Sequence, residues 1–338
     1  MSSTSEINAI HIAFLAEDRI ALDRANGTYA AHLASDPRYY MWQGNQQQIP
    51  IGMGDNPEGF AAGLKTALPG VNTLRLTFTA ASFNPNGSLH PEYERFMAAA
   101  VAQGFKIIMN YADGEMQRLG NGDGLSISQL YAKLDGSVQD RMMASWGKMM
   151  TWMDGHAAVK AAVYGYEIVN EAAAYEQGVD LAAREIKSDV EQAFVALYAR
   201  HMAEAAALIS ARDDARILVG GWAYSARFAE LAEHTVGNQS ALDYLRSQIG
   251  DKLVWAAHIY PGWHTGASVG SEAELKAEFD RVFGPLGGDD ILLTETNLRG
   301  DLINNHAVAP TIVTDFARTQ EWFAAHGIGL GWYPGLQS

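Results

Sequence analysis

The sequence contains no cysteine, which excludes disulfides and thiolate metal sites together. No apolar run approaches the roughly 18 residues that a membrane-spanning helix needs. Proline is scarce, at 10 residues in 338, and no stretch rich in Pro, Ser or Gly marks a linker between domains. Positive charge is also short. There are 24 Lys and Arg against 39 Asp and Glu, a net charge of −15, with the acids spread along the chain. That balance argues against nucleic acid and anionic membrane as partners, because both require a basic surface, and it leaves a neutral ligand open. The N-terminus, MSSTSEINAIHIAFLAED, lacks a basic segment followed by a long apolar one, so it does not read as a signal peptide. Export by a route without an N-terminal signal, or after its removal, is the expectation; a cytoplasmic location is the alternative.

What the chain does have is a recurrent alternation. A short, β-branched apolar run is followed by a polar loop and then by a longer helical pattern, the sequence form of βαβ units and a parallel sheet. Eight such runs occur: Ala9 to Leu15, Asn72 to Phe78, Phe105 to Tyr111, Val163 to Val169, Arg216 to Gly221, Leu253 to Ile259, Asp290 to Thr294 and Gly327 to Trp332. Eight strands with covering helices close into a (β/α)8 barrel, and residues 1–338 read as one catalytic domain of this α/β class. The intervening segments are punctuated as helices. Asn56-Pro57 sets a capping side chain before a first-turn proline. Pro91 opens a segment ending at Gly104, and Pro310 opens one ending at Gly327. Ser188 with Glu191, and Ser271 with Glu274, have capping-box spacing.

Two stretches depart from the pattern. More than fifty residues separate the first two runs. They are read as a helix near Glu17 to Ala34 and a long first βα loop, with Ile49 to Met53 an alternative first strand. The chain also ends at GLQS with no eighth helix after the eighth run; the expectation is that this helix is absent or replaced, with the N-terminal helix a candidate for its place, or that downstream sequence has been removed.

In such barrels the active site forms at the C-terminal ends of the strands. The fourth run breaks at Asn170-Glu171, in YGYEIVNE, and the seventh at Glu295, in LLTETN. Two carboxylates at one mouth are what glycoside cleavage needs. One gives a proton to the departing oxygen, and the other attacks or stabilises the anomeric carbon. At a separation of roughly 5–5.5 Å the second attacks directly and configuration is retained. Each charge then disfavours the other, which helps keep the acid protonated.

From Asn72 to Trp332 the chain resembles the retaining (β/α)8 glycoside hydrolases, and most of all the cellulase-like glycoside hydrolase family five. The resemblance rests on Asn170-Glu171 at strand four, Glu295 at strand seven, NTLRLTF on strand two, HIY on strand six and Trp332 on strand eight. It implies Glu171 as acid/base and Glu295 as nucleophile. It also implies that Asn170 binds the sugar's 2-hydroxyl, that Arg75 and Tyr260 hold Glu295 ionised, that His258 belongs to the site, and that Trp332 floors the cleaved-sugar subsite. No cofactor or metal is implied, and the substrate is an oligo- or polysaccharide: a β-linked glucan, mannan or exopolysaccharide. The chain departs from the family at Asn110-Tyr111-Ala112-Asp113, where many members carry a histidine. It departs also at Ala172, where proline is frequent, and at Ala9-Ile10-His11-Ile12 on strand one.

Asn110, Tyr111, Trp222, Trp263 and His264 are further rim or subsite candidates. Glu167, inside strand four, is read as a hydrogen-bonded residue of the barrel interior. Arg75 alternates with apolar neighbours on a buried strand and therefore needs a buried partner. Trp146, Met149, Met150 and Met153 fall at helical spacing, which marks a buried stripe and not a binding face. NGDGLS (121–126) has oxygen ligands and glycines but lacks the length and final glutamate of a calcium loop, and it reads as a turn. The ten histidines show no zinc-ligand spacing.

Overall fold

A computed structural model describes residues 3–13, 26–28, 30–31, 56–119, 122–259, 271–296 and 321–332. Eight strands form a closed barrel: β1 (Asn8–Ala13), β2 (Thr73–Phe78), β3 (Lys106–Tyr111), β4 (Val163–Glu167), β5 (Arg216–Gly220), β6 (Leu253–His258), β7 (Ile291–Thr296) and β8 (Gly329–Trp332). Every strand pairs in parallel with its sequence neighbours, and β8 closes on β1 through Asn8 opposite Leu330. All eight apolar runs supply a strand. The boundaries differ in two places that bear on function: β4 stops at Glu167, so Asn170 and Glu171 lie in the loop beyond it, whereas β7 continues through Glu295 to Thr296.

The helices form where their caps predict. Helix α1 (Pro57–Ala67) starts with the Asn56 side chain accepting from the Gly59 N–H at 2.9 Å. Helix α2 (Pro91–Ala102) is followed by Gly104 at φ +80°, a left-handed turn that glycine takes without steric cost. Helix α3 (Gln139–Asp154) buries Trp146, Met149, Met150 and Met153 completely, so the methionine stripe is core. Helix α4 (Lys187–Ser210) is capped at Ile186, which places Ser188 inside its first turn and not at its cap. Ser240 caps α5 (Ala241–Ile249), and Ser271 caps α6 (Glu272–Phe283) by accepting from the Glu274 N–H. Apart from 26–28 and 30–31, the expected first loop and its helix lie outside the described residues, as do the upstream half of the Pro310 segment and the residues after Trp332.

Two cores result from the strand alternation. Leu74, Leu76, Phe78, Ile107 and Met109 face outward into the layer between sheet and helices. Ile7, Ala9, Ile108, Tyr164, Leu218, Val254, Ala256 and Leu292 fill the lower barrel interior. Above that apolar plug the interior becomes polar, and there the candidate site lies. Among the described residues no helix is long and apolar enough to cross a membrane.

Candidate active site

Arg75, on β2, points into the barrel and is completely buried. Its guanidinium has five N–H donors and no acceptor, and each donor has a partner. Nε and Nη2 reach the two oxygens of Glu167 at 2.6 and 2.8 Å. The second Nη2 hydrogen goes to Asn170 Oδ1 at 2.8 Å, and Nη1 serves Glu295 Oε1 at 2.6 Å and His11 Nδ1 at 2.5 Å. One residue of β2 thereby ties together β1, β4, the loop after β4 and β7.

This pattern fixes two assignments that the heavy atoms alone would leave open. The Asn170 atom facing a pure donor must be the carbonyl oxygen. Its Nδ2 hydrogens therefore turn away from Arg75, and the Asn170 N–H donates to Tyr111 O at 2.7 Å. His11 must likewise present a lone pair at Nδ1 and carry its hydrogen on Nε2, which faces Thr77 Oγ1 at 3.4 Å; Thr77 in turn donates to Asn110 Oδ1 at 3.1 Å. Burial first, and the adjacent guanidinium second, push His11 down to about 3, so it is neutral. Burial alone would raise Glu167, but the Arg75 charge and hydrogen bonds prevail and hold it at about 2. This is a compensated buried ion pair, as an interior arginine requires.

The second group is built around His258, at the end of β6 and completely buried. Its Nδ1 lies 2.9 Å from Glu171 Oε1 and 3.6 Å from Glu295 Oε2, while Nε2 lies 3.8 Å from Glu167 Oε1. Burial opposes the charge on the ring, but these carboxylates, Glu295 foremost, push His258 up to about 9. The imidazole is therefore a cation at neutral pH, donating from Nδ1 to Glu171. Glu171 Oε2 accepts from Gln117 Nε2 at 2.8 Å. Glu171 also has φ +46°, a conformation that costs a non-glycine residue roughly 1–3 kcal/mol and that clusters at functional sites. Glu171, His258 and Glu295 each offer one atom such that all three lie within 4.8 Å of one another. The same donor set could hold a metal ion if the histidine gave up its proton.

The structure brings together Glu171, Glu295, Arg75, Asn170 and His258, with Asn110 buried in the supporting layer beneath them. Three other candidates it places elsewhere. Trp332 Nε1 donates to Asn8 Oδ1 at 3.2 Å, and Asn8 lies between the inward-facing Ile7 and Ala9, so it points outward. A Cβ on Gly329 would meet the Leu292 side chain inside the barrel, Leu330 packs in the outer layer, and Trp332 pairs with Ile10, which packs there too. Tyr111 is buried against Phe78 and spends its hydroxyl on Asp113 at 2.9 Å. Trp222 is buried against Tyr175 and Tyr198. Tyr260, Trp263 and His264 lie outside the described residues.

No family model and no curated protein matches the sequence. Solved structures do match. Endoglucanase Cel5A of Pseudomonas stutzeri aligns over 97% of this chain and 85% of its own, at 14% identity and TM-score 0.56. The catalytic domain of Thermobifida fusca endoglucanase Cel5A aligns over 82% and 73%, at 17% identity and TM-score 0.51. A mannotriose complex of Thermomonospora fusca β-mannanase aligns over 86% and 80%, at 11% identity and TM-score 0.51. The fold is that of the cellulase-type (β/α)8 hydrolases.

Within this cellulase-type barrel, three residues of the site were missed in the sequence. His11 gave a signal only as a polar break in an apolar strand. Gln117 sits in a one-turn helix, Gly114–Gln117, with no periodicity to read. Tyr224 is a partly exposed aromatic in a strained turn, between Ala223 and Ser225, both at φ +59°. Burial, and next the charge of Glu171, raise its hydroxyl pKa, so it lies within electrostatic reach of Glu171.

Proposed function

We propose that the protein is a retaining β-glycoside hydrolase of the cellulase-like family five, acting as one catalytic domain on a β-linked glucan, mannan or exopolysaccharide. The observation that carries this reading is the approach of Glu171 and Glu295, with an oxygen of each within 4.8 Å of the other and of His258. Inverting enzymes hold their carboxyls roughly 6.5–9.5 Å apart to admit a water, whereas direct attack needs roughly 5–5.5 Å.

In the first step Glu295 attacks the anomeric carbon through one oxygen while Arg75 Nη1 holds Oε1. The glycosidic C–O bond breaks as Glu171 delivers its proton to the leaving oxygen. In the second, Glu171 takes a proton from water, whose oxygen displaces Glu295 from the sugar. Asn170 Nδ2, turned away from Arg75, is the donor for the 2-hydroxyl. The ring of Tyr224 suits the apolar face of a pyranose beyond the scissile bond. The endoglucanases and the mannanase sharing this fold support glucan and mannan as first substrates to try.

The test is a screen over β-glucans, mannans and exopolysaccharides with product sizing, beside an activated aryl β-glycoside. Release of aryl alcohol that disappears in Glu295→Gln, with folding intact, is expected. Sugar binding without release from any substrate would favour a non-catalytic carbohydrate-binding barrel. A second reading, a metal-dependent hydrolase or lyase on a non-sugar substrate, is favoured by the three-residue donor set and is separated by chelation.

A further inference from the structure

We infer that Gln117 is a positioning residue for Glu171, holding its carboxyl in one orientation both with and without its proton; the inference rests on the acid/base role proposed above. Glu171 has two oxygens and two donors, one on each: His258 Nδ1 on Oε1 at 2.9 Å and Gln117 Nε2 on Oε2 at 2.8 Å. Two contacts on opposite oxygens fix the plane of a carboxyl that one contact would leave free to rotate.

The way Gln117 is held supports this. Its helix has four residues, far too few to be stable alone. Asp113 Oδ1 caps it by accepting from the N–H groups of Glu115 and Met116 at 2.8 and 3.2 Å. Asp113 is itself held by the Tyr111 hydroxyl and by Arg141 from α3, whose Nη2 reaches Asp113 Oδ1 at 2.9 Å and Glu115 Oε2 at 2.8 Å. Lys133 adds a contact to Glu115 at 2.5 Å, and Met116 is buried beneath. Tyr111, its ring buried against Phe78, thus supports the site through Asp113 and this helix.

The choice of side chain follows from acid/base chemistry. An amide carries a donor and an acceptor in one plane. When Glu171 is ionised, Gln117 Nε2 donates to Oε2. When Oε2 carries the proton bound for the leaving oxygen, its remaining lone pair still accepts from Nε2. A lysine there would favour only the ionised form, and a glutamate would set a like charge against it. Glutamine serves both halves of a cycle in which Glu171 gives a proton and takes one back.

The experiment compares the wild type with the near-isosteric Gln117→Met and with Gln117→Glu. The substrates are phenyl β-cellobioside, whose leaving group needs a proton, and the 2,4-dinitrophenyl analogue, whose leaving group does not. Loss of a hydrogen bond made to the acid/base should lower kcat/KM on the phenyl glycoside by about tenfold or more, and on the dinitrophenyl glycoside by less than about twofold. Equal losses on both substrates, or none, would overturn the inference, since a merely structural residue does not discriminate leaving groups. Independently of turnover, the 13C carboxyl resonance of Glu171, assigned with Glu171→Gln, should move in Gln117→Met. An unmoved resonance also overturns it. A wild type inactive on both glycosides defeats the glucan assignment instead, and the resonance still decides the contact.

Discussion

Replacing Arg75 with lysine keeps a positive charge in the barrel and removes the fork that distributes it. The guanidinium fills five acceptors: both oxygens of Glu167, one of Glu295, Asn170 Oδ1 and His11 Nδ1. An ammonium has three donors on one nitrogen. At least two buried acceptors then lose their donor, and at about 1–3 kcal/mol each the protein should be destabilised by about 2–6 kcal/mol. The functional loss is separate. Without Nη1, Glu295 is free to turn, and a misplacement of about 1 Å at a reacting atom can cost on the order of a hundredfold. Urea unfolding at neutral pH gives the first quantity, and kcat/KM on an activated aryl β-glycoside gives the second. A midpoint shift worth less than about 1 kcal/mol, with kcat/KM unchanged, would refute the reasoning, because a salt bridge satisfied by any cation has no need of the fork.

Two other outcomes follow from the same network. Stability should peak near the ordinary histidine value of 6.5. Toward acid, His11 stays neutral in the fold down to about 3 while the unfolded chain binds a proton, so stability falls; Glu167, held at about 2, adds to the loss below 4.5. Toward base, the contribution of His258 is present below 6.5 and is lost as pH rises through about 9. Each histidine supplies a slope of up to about 1.4 kcal/mol per pH unit. Urea midpoints across this range should flatten on the acid side in His11→Asn and on the basic side in His258→Asn, and an unchanged profile in both would contradict the assignments. EDTA treatment should leave turnover unaffected; loss of activity restored by a divalent metal would instead make Glu171, His258 and Glu295 ligands.

What the sequence made legible was local. The β-branched runs located all eight strands because each must bury both faces. Asn56-Pro57 and Ser271 marked helix starts because a capping side chain acts on groups two or three residues away. The methionine stripe identified the buried face of α3 by its spacing alone. Arg75 announced a buried partner but not its identity, since Glu167 is brought to it only by barrel closure. The orientation of Trp332 was not legible, because in a strand of four residues it depends on which glycine turns inward, and that shows only once Leu292 is set across the sheet from Gly329. Tyr111 closes a strand and Trp222 follows one, where an aromatic fits a rim or a core equally well until the covering helices are known. Ser188 failed as a cap because α4 begins one residue ahead of it. His11 and Gln117 acquire their roles only through partners 64 and 54 residues away.

The most direct test of the central claim is trapping with 2,4-dinitrophenyl 2-deoxy-2-fluoro-β-cellobioside and its mannosyl counterpart, read by intact mass and peptide mapping. Fluorine slows both the arrival of the sugar on the enzyme and its departure, and the activated leaving group restores only the arrival, so the glycosyl-enzyme accumulates. One fluoroglycosyl unit per chain, on the peptide bearing Glu295 and absent in Glu295→Gln, is the predicted result. Turnover of the parent glycosides with no adduct, or with label on another carboxylate, would contradict Glu295 as the nucleophile.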